Sequence, residues 1–549
     1  MPAAPLVAQT GGLKSEFILS DYKPWADGKT DDTFAFQRCF NDAAKNGGGK
    51  ILISPGTYYM AGAGGIEIPS NTTVTATGAK FLLPAMLGDR ARITLFQGQD
   101  VVNFSWIGGH FQGYCFDPNR LDNTWEPNVH TQIFRITTSQ QGNTRHLLFR
   151  DITSDQIAGA VINVLGRPEQ GSESGIDTFA YDITVENCSL INSGRFCWDY
   201  GYLWEILNWP EDYTSWEREY AQKYFPRGLI REGVRFEADG ERVFFNNRER
   251  PIPVSAQERP QDMVGFFAGR LPASIKRGKA YYIIESGPDY IKVSERFKGP
   301  SVRFQNVPIG EAKLMHNMVE AYWQLFMPTN SGDSIGAIDL RCCKGTRITG
   351  CTLSARGDTT YIGRCYDNVF DKNHIIGSRM GALYLAEFSK HSTITDNLVE
   401  GTNGSRTLSV EKSNEDVKII GNVFRGGGRG NWINQPRNIL IENNSFLRNT
   451  TKGEQNPKRG RRTYTTGDYD SFSELYFTIY ETEGHYGGVV IRGNTFDTGP
   501  EAQHAIGFQR NGSDIQIIEN TFLGAKRHVA VDPSCIGVTI ARNRGLVPR

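Results

Sequence analysis

One short pattern recurs along the chain: two or three β-forming residues, a polar residue or glycine, and then an asparagine. Examples are ITVENCSL, VFDKNHII and ILIENNSF, and the asparagines of all the repeats are Asn187, Asn373, Asn397, Asn422, Asn444, Asn494, Asn520 and Asn543. From Asn373 onward the steps are 24, 25, 22, 50, 26 and 23 residues, and the step of 50 is a doubled one with a polar insertion. A period near 24 with short β runs and turn residues indicates a β-solenoid in which each repeat is one coil.

The stacking of such coils explains the asparagines. Neighbouring coils lie about 4.8 Å apart, so equivalent residues lie above one another and their amides can hydrogen-bond along the axis. We therefore interpret all eight asparagines as a structural ladder and not as ligands. The segment RITGCTLS is a variant repeat in which Cys351 takes the ladder position.

The N-terminal part begins with a capping element. DDTFAFQRCFNDAAK predicts an amphipathic helix from about Asp32 to Lys45, the kind of element that covers the open end of a solenoid. The segments DGKTDDTFAFQ and GGGKILISPGTYYM resemble the opening of the pectate-lyase-like superfamily. That superfamily has a right-handed parallel β-helix and includes polysaccharide-degrading enzymes and bacteriophage tailspikes. The resemblance implies this fold and a carbohydrate substrate, without a specific reaction.

A long insertion interrupts the coils. Residues 198–225 are rich in aromatics and predict helix, whereas residues from about 228 to 314 predict short strands and resemble a small β module of phage tail proteins. The expected fold is therefore all-β: a right-handed single-stranded parallel β-helix with an N-terminal capping helix and an inserted mainly-β module. The predicted divisions are an arm (1–30), the N-terminal β-helix (31–197), the insertion (198–330), the C-terminal β-helix (331–545) and LVPR (546–549), which matches a protease-cleavage linker.

The strand about eleven residues before each ladder asparagine predicts a binding surface. Alternation points residues such as Ile338, Leu340, Leu383 and Leu385 inward, so their neighbours point outward in two files. The first file is Asp339, Tyr361, Tyr384, Ser409 and Trp432, and the second is Arg341, Gly363, Ala386, Glu411 and Asn434, with Arg364 and Glu387 at the adjacent bends. Because sugar rings stack on aromatic side chains, we expect a saccharide to contact Tyr361, Arg364, Tyr384, Trp432 and Asn434.

The same files contain the candidate catalytic residues. Glu387 and Glu411 are one coil apart, about 5 Å if the register holds. Retaining glycoside hydrolases separate their two carboxyl groups by about 5–5.5 Å, and two close carboxylates raise the pKa of one of them. Asp339, about three coils from Glu411, is a third candidate. The sequence thus predicts a glycoside hydrolase that acts on a bacterial surface or extracellular polysaccharide and needs no metal or cofactor.

Two alternatives remain open. TLSVEKSNEDVKIIGNVF resembles the E-x-S-x-K-S coil of alginate and chondroitin lyases, although the following WINQPRNILIEN lacks the expected R-H-G. That resemblance implies β-elimination on a uronate polymer, with Lys412 and Arg437 as candidate bases and calcium held by Glu387 and Glu411. The second alternative is a non-catalytic tail protein or adhesin that binds glycans through the aromatic residues of the first file.

Charge and hydropathy limit the partners. The 60 basic and 60 acidic residues balance, which argues against a general nucleic-acid-binding protein. No run of 18 apolar residues predicts a membrane span, and MPAAPLVAQTGG lacks the features of a signal peptide. We expect a monomer or homotrimer that is extracellular or associated with a phage tail, and whose partner is a polysaccharide.

Overall fold

The computed structural model describes residues 15–62, 64–84, 92–113, 130–168, 177–194, 230–246, 252–256, 263–276, 280–316, 335–355, 357–378, 381–401, 406–428, 430–450, 473–479 and 484–548. Most of these residues belong to three long parallel sheets, here called sheets A, B and C, which wind around one core. The fold is a right-handed parallel β-helix, as the sequence predicts. The aromatic segment 198–225 and most of the basic insertion after Thr450 lie outside the described residues.

Sheet A has fourteen strands, each paired with the strand of the next coil. They are Glu16–Ile18, Gly49–Leu52, Thr72–Thr75, Val102–Ile107, Arg145–Arg150, Ala180–Glu186, Cys343–Thr349, Tyr366–Asp371, Lys390–Thr395, Glu415–Ile420, Arg437–Glu442, Tyr486–Arg492, Gly512–Ile518 and Ile536–Ala541. Because each coil stacks on the one before it, the order of the strands in the sheet is their order in the chain.

Sheets B and C complete each coil. Sheet B consists of Asp27–Asp31, Gly56–Tyr59, Ala79–Leu82, His110–Gln112, Thr153–Asp155, Ser189–Ser193, Thr352–Ala355, His374–Ser378, Leu398–Gly401, Val423–Arg425, Ser445–Leu447, Thr495–Thr498 and Thr521–Gly524. Sheet C consists of Ile66–Glu67, Arg92–Gln99, His130–Thr137, Ile162–Leu165, Ile335–Arg341, Asp358–Gly363, Gly381–Leu385, Arg406–Val410, Asn431–Asn434, Leu475–Thr478, Ile506–Phe508 and Val529–Val531.

In the core, identical residues of successive coils stack on one another. Phe424, Phe446, Phe496 and Phe522 of sheet B are buried, and successive rings stack with centroids 5.2, 5.0 and 5.4 Å apart. These distances lie within the range of favourable offset stacking. One residue type at one position of the repeat therefore produces a continuous aromatic column along the axis.

The asparagine ladder is present from Asn373 to Asn543. At each step the side-chain oxygen of one asparagine accepts hydrogen bonds from the backbone N–H and the amide of the preceding one, for example 2.9 and 2.8 Å from Asn397 to Asn422. Cys351 begins this series, because its N–H donates to Asn373 Oδ1 at 2.9 Å. The prediction that Cys351 replaces an asparagine in the ladder is confirmed.

The assignment of Asn187 to the ladder is wrong. The register that pairs Glu186 with Thr349 places Cys188, not Asn187, beside Cys351. Asn187 is exposed and has a φ of 53°, and the equivalent residue of the next coil is Gly350 with a φ of 64°. Asparagine and glycine tolerate this left-handed conformation best. Asn187 therefore suits this corner through its backbone conformation, and its side-chain amide is not a member of the ladder.

A helix covers the N-terminal end of the core. Helix α1 (Thr33–Lys45) buries Phe36, Cys39 and Phe40, whose spacing places them on one face. Phe36 packs edge-on against Tyr58 of sheet B at 5.2 Å. A single 3₁₀ turn, Leu19–Tyr22, precedes the helix. The predicted capping helix is confirmed.

The insertion contains a closed antiparallel barrel of six strands. These are Ile230–Phe236, Arg242–Phe244, Met263–Gly269, Ala280–Ser286, Tyr290–Ser294 and Ala312–His316. The barrel has its own core, in which Phe236 contacts Phe266 and Phe304 with ring centroids 5.3 and 5.0 Å apart. The expected mainly-β module is therefore present.

A buried carboxyl group lies at the beginning of one sheet C strand. Glu474 is fully buried, and its carboxyl oxygens accept hydrogen bonds from the N–H of Asn449 at 2.9 Å and from its amide at 3.0 Å. Burial nevertheless dominates and raises the pKa of Glu474 from 4.5 to about 7. The folded protein therefore holds a proton on Glu474 that the unfolded chain releases at lower pH.

This raised pKa predicts that stability falls as pH rises from about 4.5 to about 7 and then levels off, because the folded state binds the extra proton only in that interval. We expect this group to contribute a loss of about 3 kcal/mol in the free energy of unfolding across the interval. Glu474→Gln should remove that pH dependence in urea denaturation at several pH values. An unchanged slope in the variant would show that Glu474 is ionised in the folded protein.

Candidate functional site

The outward files of sheet C have the predicted register. Asp339 lies beside Tyr361, Tyr384 lies beside Ser409, and Ser409 lies beside Trp432. The inward neighbours of these residues, among them Ile338, Leu340, Leu383 and Leu385, are buried in the core. Packing of these inward residues therefore fixes the register of the strands, so equivalent outward side chains of neighbouring coils lie beside one another.

The expectation that both files face solvent is wrong at several positions. Asp339, Ser409 and Asn434 are buried, and Trp432 is only 7% exposed. At Trp432 a longer side chain lies over the ring: the guanidinium of Arg406 is 4.8 Å from its centroid. Alternation determines on which side of a strand a residue lies, but not what covers it.

Asp339 lies in a buried polar cluster at the N-terminal end of the candidate site. Its carboxylate accepts 2.9 and 3.2 Å hydrogen bonds from Arg341 and a 2.8 Å bond from the amide of Asn163. Burial raises the pKa of Asp339, and the charge of Arg341 opposes that rise. Within the described residues, Asn163 Oδ1 makes no hydrogen bond; buried acceptors of this kind often mark a functional site or a bound water.

Two tyrosines connect this cluster to Glu411. Arg341 lies over the ring of Tyr361 at 4.6 Å, and Tyr361 packs edge-on against Tyr384 at 5.3 Å. The hydroxyl of Tyr384 donates a 2.8 Å hydrogen bond to Glu411. Burial is the main cause that raises the pKa of each tyrosine, so both phenols stay protonated near neutral pH. The site can therefore offer Tyr384 as a hydrogen-bond donor.

The three predicted carboxylates act on one phenol. The charges of Glu387, Asp339 and Glu411 all add to the rise in the pKa of Tyr361, in that order of size after burial. The contacts agree with this for two of the three: Asp339 lies beside Tyr361 in the sheet, and Tyr384, whose ring packs against Tyr361, donates to Glu411.

Glu387 and Glu411 lie on neighbouring coils but one position out of register. The pairing of Leu385 with Val410 sets Glu411 beside Ala386, and it sets Glu387 beside Lys412. The ammonium of Lys412 lies 3.0 Å from Glu387, whose side chain is 29% exposed. Each carboxylate thus has a different partner, a cation for Glu387 and a phenol for Glu411.

The remaining predicted contact residues are held by other groups. Arg364 lies 3.5 Å from Asp177 and 5.1 Å from the ring of Phe388. Trp432 and Asn434 both donate to Thr478 Oγ1, at 2.5 and 2.9 Å. In the described structure these three side chains support the walls of the site, and Tyr361 and Tyr384 are its more accessible aromatic residues.

The residues proposed for elimination chemistry are divided between two sheets. Lys412 follows a sheet C strand, whereas Arg437 begins a sheet A strand beside Glu415. Among the described residues there is no group of three or more His, Cys, Asp or Glu side chains that could hold a metal ion. Of the two residues implied as calcium ligands, Glu387 pairs with the ammonium of Lys412 and Glu411 accepts a hydrogen bond from Tyr384.

Sequence reasoning missed two partners of the site. Asn163 contacts Asp339 across 176 residues of chain, and Asp177 contacts Arg364. The signal for Asn163 was the alternation of INVL, in which Ile162 and Val164 are buried and Asn163 takes the outward position. The less regular N-terminal coils and the insertion hid this correspondence.

Comparisons with known proteins support the fold. The model of the periplasmic copper-binding protein (NosD) family matches residues 320–474, about a quarter of the chain. The A-module of mannuronan C-5 epimerase AlgE6 from Azotobacter vinelandii has a TM-score of 0.52 at 12% identity and covers 97% of this chain and 100% of its own. The chain has the right-handed parallel β-helix fold.

Two further solved structures are similar at lower scores. The adhesin PfbA of Streptococcus pneumoniae has a TM-score of 0.46 at 10% identity over 96% of this chain and 91% of its own. The tailspike of E. coli bacteriophage HK620, solved with a pentasaccharide, has a TM-score of 0.46 at 11% identity over 96% of this chain and 72% of its own. No curated protein matches the sequence significantly. No described helix is long and apolar enough to cross a membrane.

Proposed function

We propose that the protein is a glycoside hydrolase that cleaves a polysaccharide bound along the outer face of sheet C, with Glu411 and Glu387 as its catalytic carboxylates. The observation that carries this proposal is the placement of the two carboxylates on neighbouring coils, beside the paired rings of Tyr361 and Tyr384. Two carboxyl groups beside a surface on which a sugar ring can stack are the minimum that glycoside hydrolysis requires.

The two carboxylates have different environments, which suits two roles. Glu411 accepts a hydrogen bond from the hydroxyl of Tyr384, which orients its carboxylate. We assign Glu411 as the nucleophile or the base that activates water. Glu387 is the acid of the pair: in its protonated form, in which the ion pair with Lys412 is broken, it donates that proton to the oxygen of the leaving sugar. The glycosidic C–O bond breaks, and water supplies the hydroxyl of one product and the proton of the other.

Asp339 has a positioning role in this proposal. It is buried and bonded to Arg341 and Asn163, so it holds Arg341 over Tyr361 and does not contact the sugar. A β-elimination needs a base, but its two candidate bases do not meet at one site: Lys412 follows a sheet C strand and pairs with Glu387, whereas Arg437 begins a sheet A strand. Hydrolysis is therefore better supported than elimination.

Incubation with capsular polysaccharides, lipopolysaccharides and exopolysaccharides tests the proposal. We expect at least one polymer to shorten, as measured by light scattering after size-exclusion chromatography, with new reducing ends and no ultraviolet absorbance from an unsaturated uronate. Absorbance of that kind would indicate a lyase. Binding without any shortening would indicate a glycan-binding tail protein or adhesin. Light scattering of the protein alone distinguishes a monomer from a homotrimer.

A further inference from the structure

A shallow cavity lies on the N-terminal coils of sheet C, away from Glu387 and Glu411. Its volume is about 220 Å³, and its lining residues are Glu67, Gln97, Gly98, Gln99, Arg135 and Thr137. No aromatic or aliphatic side chain is among them. The cavity is smaller than the roughly 300 Å³ at which sites for drug-sized ligands begin, so it suits a single ring and not a larger molecule.

The cavity belongs to the same outward file as the candidate site. Glu67 lies beside Gln97, and Gln97 lies beside Arg135. Arg135 lies beside Asn163, which lies beside Asp339. From Arg135 to the coil of Glu411 there are five coil steps, which at the strand spacing span about 24 Å. A glycan that follows the file through the candidate site would reach the cavity.

We propose that this cavity is a remote subsite that binds one neutral, hydroxyl-rich sugar residue of the glycan chain. The inference rests on the proposed function, because it takes the glycan to run along sheet C. It adds a second binding point about five coils from the carboxylates and therefore a preference for long chains.

The lining chemistry supports a neutral sugar. Gln97 donates a 2.6 Å hydrogen bond to Glu67, so an amide and a carboxylate converge on one side of the cavity. Arg135 contributes donors, and Thr137 and Gln99 each contribute both a donor and an acceptor. A pair of adjacent hydroxyl groups needs donors and acceptors together, and this lining supplies both.

The charge of the lining argues against an anionic ligand. Among the described lining residues the charged ones are Arg135 and Glu67, one of each sign, so their charges cancel. A uronate or sulfate that approached Arg135 would also approach the carboxylate of Glu67, and like charges in one site repel. An uncharged sugar avoids this cost and can use both groups as hydrogen-bond partners.

Saturation-transfer NMR with single monosaccharides tests the inference. D-glucose, D-galactose, D-mannose and N-acetyl-D-glucosamine are the neutral probes, and D-glucuronate is the anionic one. We expect at least one neutral sugar to bind the wild-type protein and to lose about tenfold in affinity in Arg135→Met, the effect of one charged hydrogen-bonding group. Gln97→Ala should weaken binding in the same way and replaces Arg135→Met if that variant does not fold.

Arg150→Met is the matched control. Arg150 lies on sheet A and pairs with Glu186 at 3.2 Å, so its loss should leave sugar binding unchanged. The inference is overturned if no neutral sugar binds, if binding persists in the two cavity variants, or if glucuronate binds in preference. Monosaccharide binding needs no turnover. A protein that binds sugar here but cleaves no polymer would contradict the proposed function alone, and the reverse result would contradict this inference alone.

Discussion

Glu411→Gln is expected to lower the rate of polymer cleavage by about 10²–10⁴-fold, the contribution of one general acid or base. Glutamine keeps the size of the side chain and can still accept the hydrogen bond that Tyr384 donates at 2.8 Å. The variant therefore removes the carboxylate that attacks the anomeric carbon or activates water, while it leaves the site in place. The measurement is the initial rate at which reducing ends form from a polymer that the wild-type protein shortens.

Two variants, Glu411→Gln and Glu387→Gln, test the catalytic carboxylates, and Glu415→Gln is their matched control. Glu415 lies on sheet A and pairs with Lys390 at 3.0 Å, the same distance that joins Glu387 and Lys412. Glu387→Gln should reduce cleavage as strongly as Glu411→Gln, whereas Glu415→Gln should retain the wild-type rate. Full activity in Glu411→Gln would contradict our assignment of the nucleophile. Equal losses in all three variants would point to folding and not to chemistry.

The sequence predicts the repeating positions of this fold well, because one pattern is tested many times along the chain. The inward positions of Ile338 and Leu383 and the register of Asp339 with Tyr361 follow from alternation and from the ladder spacing alone. The coil corners are less predictable. The segment ITVENCSL offers Asn187 and Cys188 as neighbouring candidates, and only the pairing of the strands shows that Cys188 is the ladder residue.

The candidate site is less predictable than the fold because its character depends on neighbours distant in sequence. Asp339 is buried and accepts hydrogen bonds from Arg341 and from Asn163, which lies 176 residues earlier. Nothing in the sequence around Asp339 indicates the contact with Asn163. The pairing of Glu387 with Lys412 likewise depends on which coil positions face each other, and a shift of one residue exchanges a carboxylate for an ammonium.

The second large effect is expected in the ladder itself, at Asn422. Its amide donates to the carbonyl of Ile394 and to Asn444 Oδ1, both at 2.9 Å, and its oxygen accepts two bonds from Asn397. Asn422→Ala would take the side-chain partner from the buried N–H of Asn397 and from the carbonyl of Ile394, whereas Asn444 Oδ1 would keep the bond from the backbone N–H of residue 422. Each buried group left without a partner costs about 1–3 kcal/mol. We expect a total loss of about 3–5 kcal/mol in the free energy of unfolding, measured by guanidinium denaturation.

Two further variants separate the ladder bonds from the loss of an asparagine as such. Asn41→Ala changes an exposed helix residue and should shift stability by no more than about 0.5 kcal/mol. Asn422→Ser should be less harmful than Asn422→Ala, because Ser389 already takes a comparable place in a second column, where it donates to Ile362 and accepts from Cys365. If Asn422→Ala shifted the denaturation midpoint as little as Asn41→Ala, neighbouring coils would hold together through backbone pairing and packing alone. A graded loss from serine to alanine would instead show that the side-chain ladder stabilises the stack.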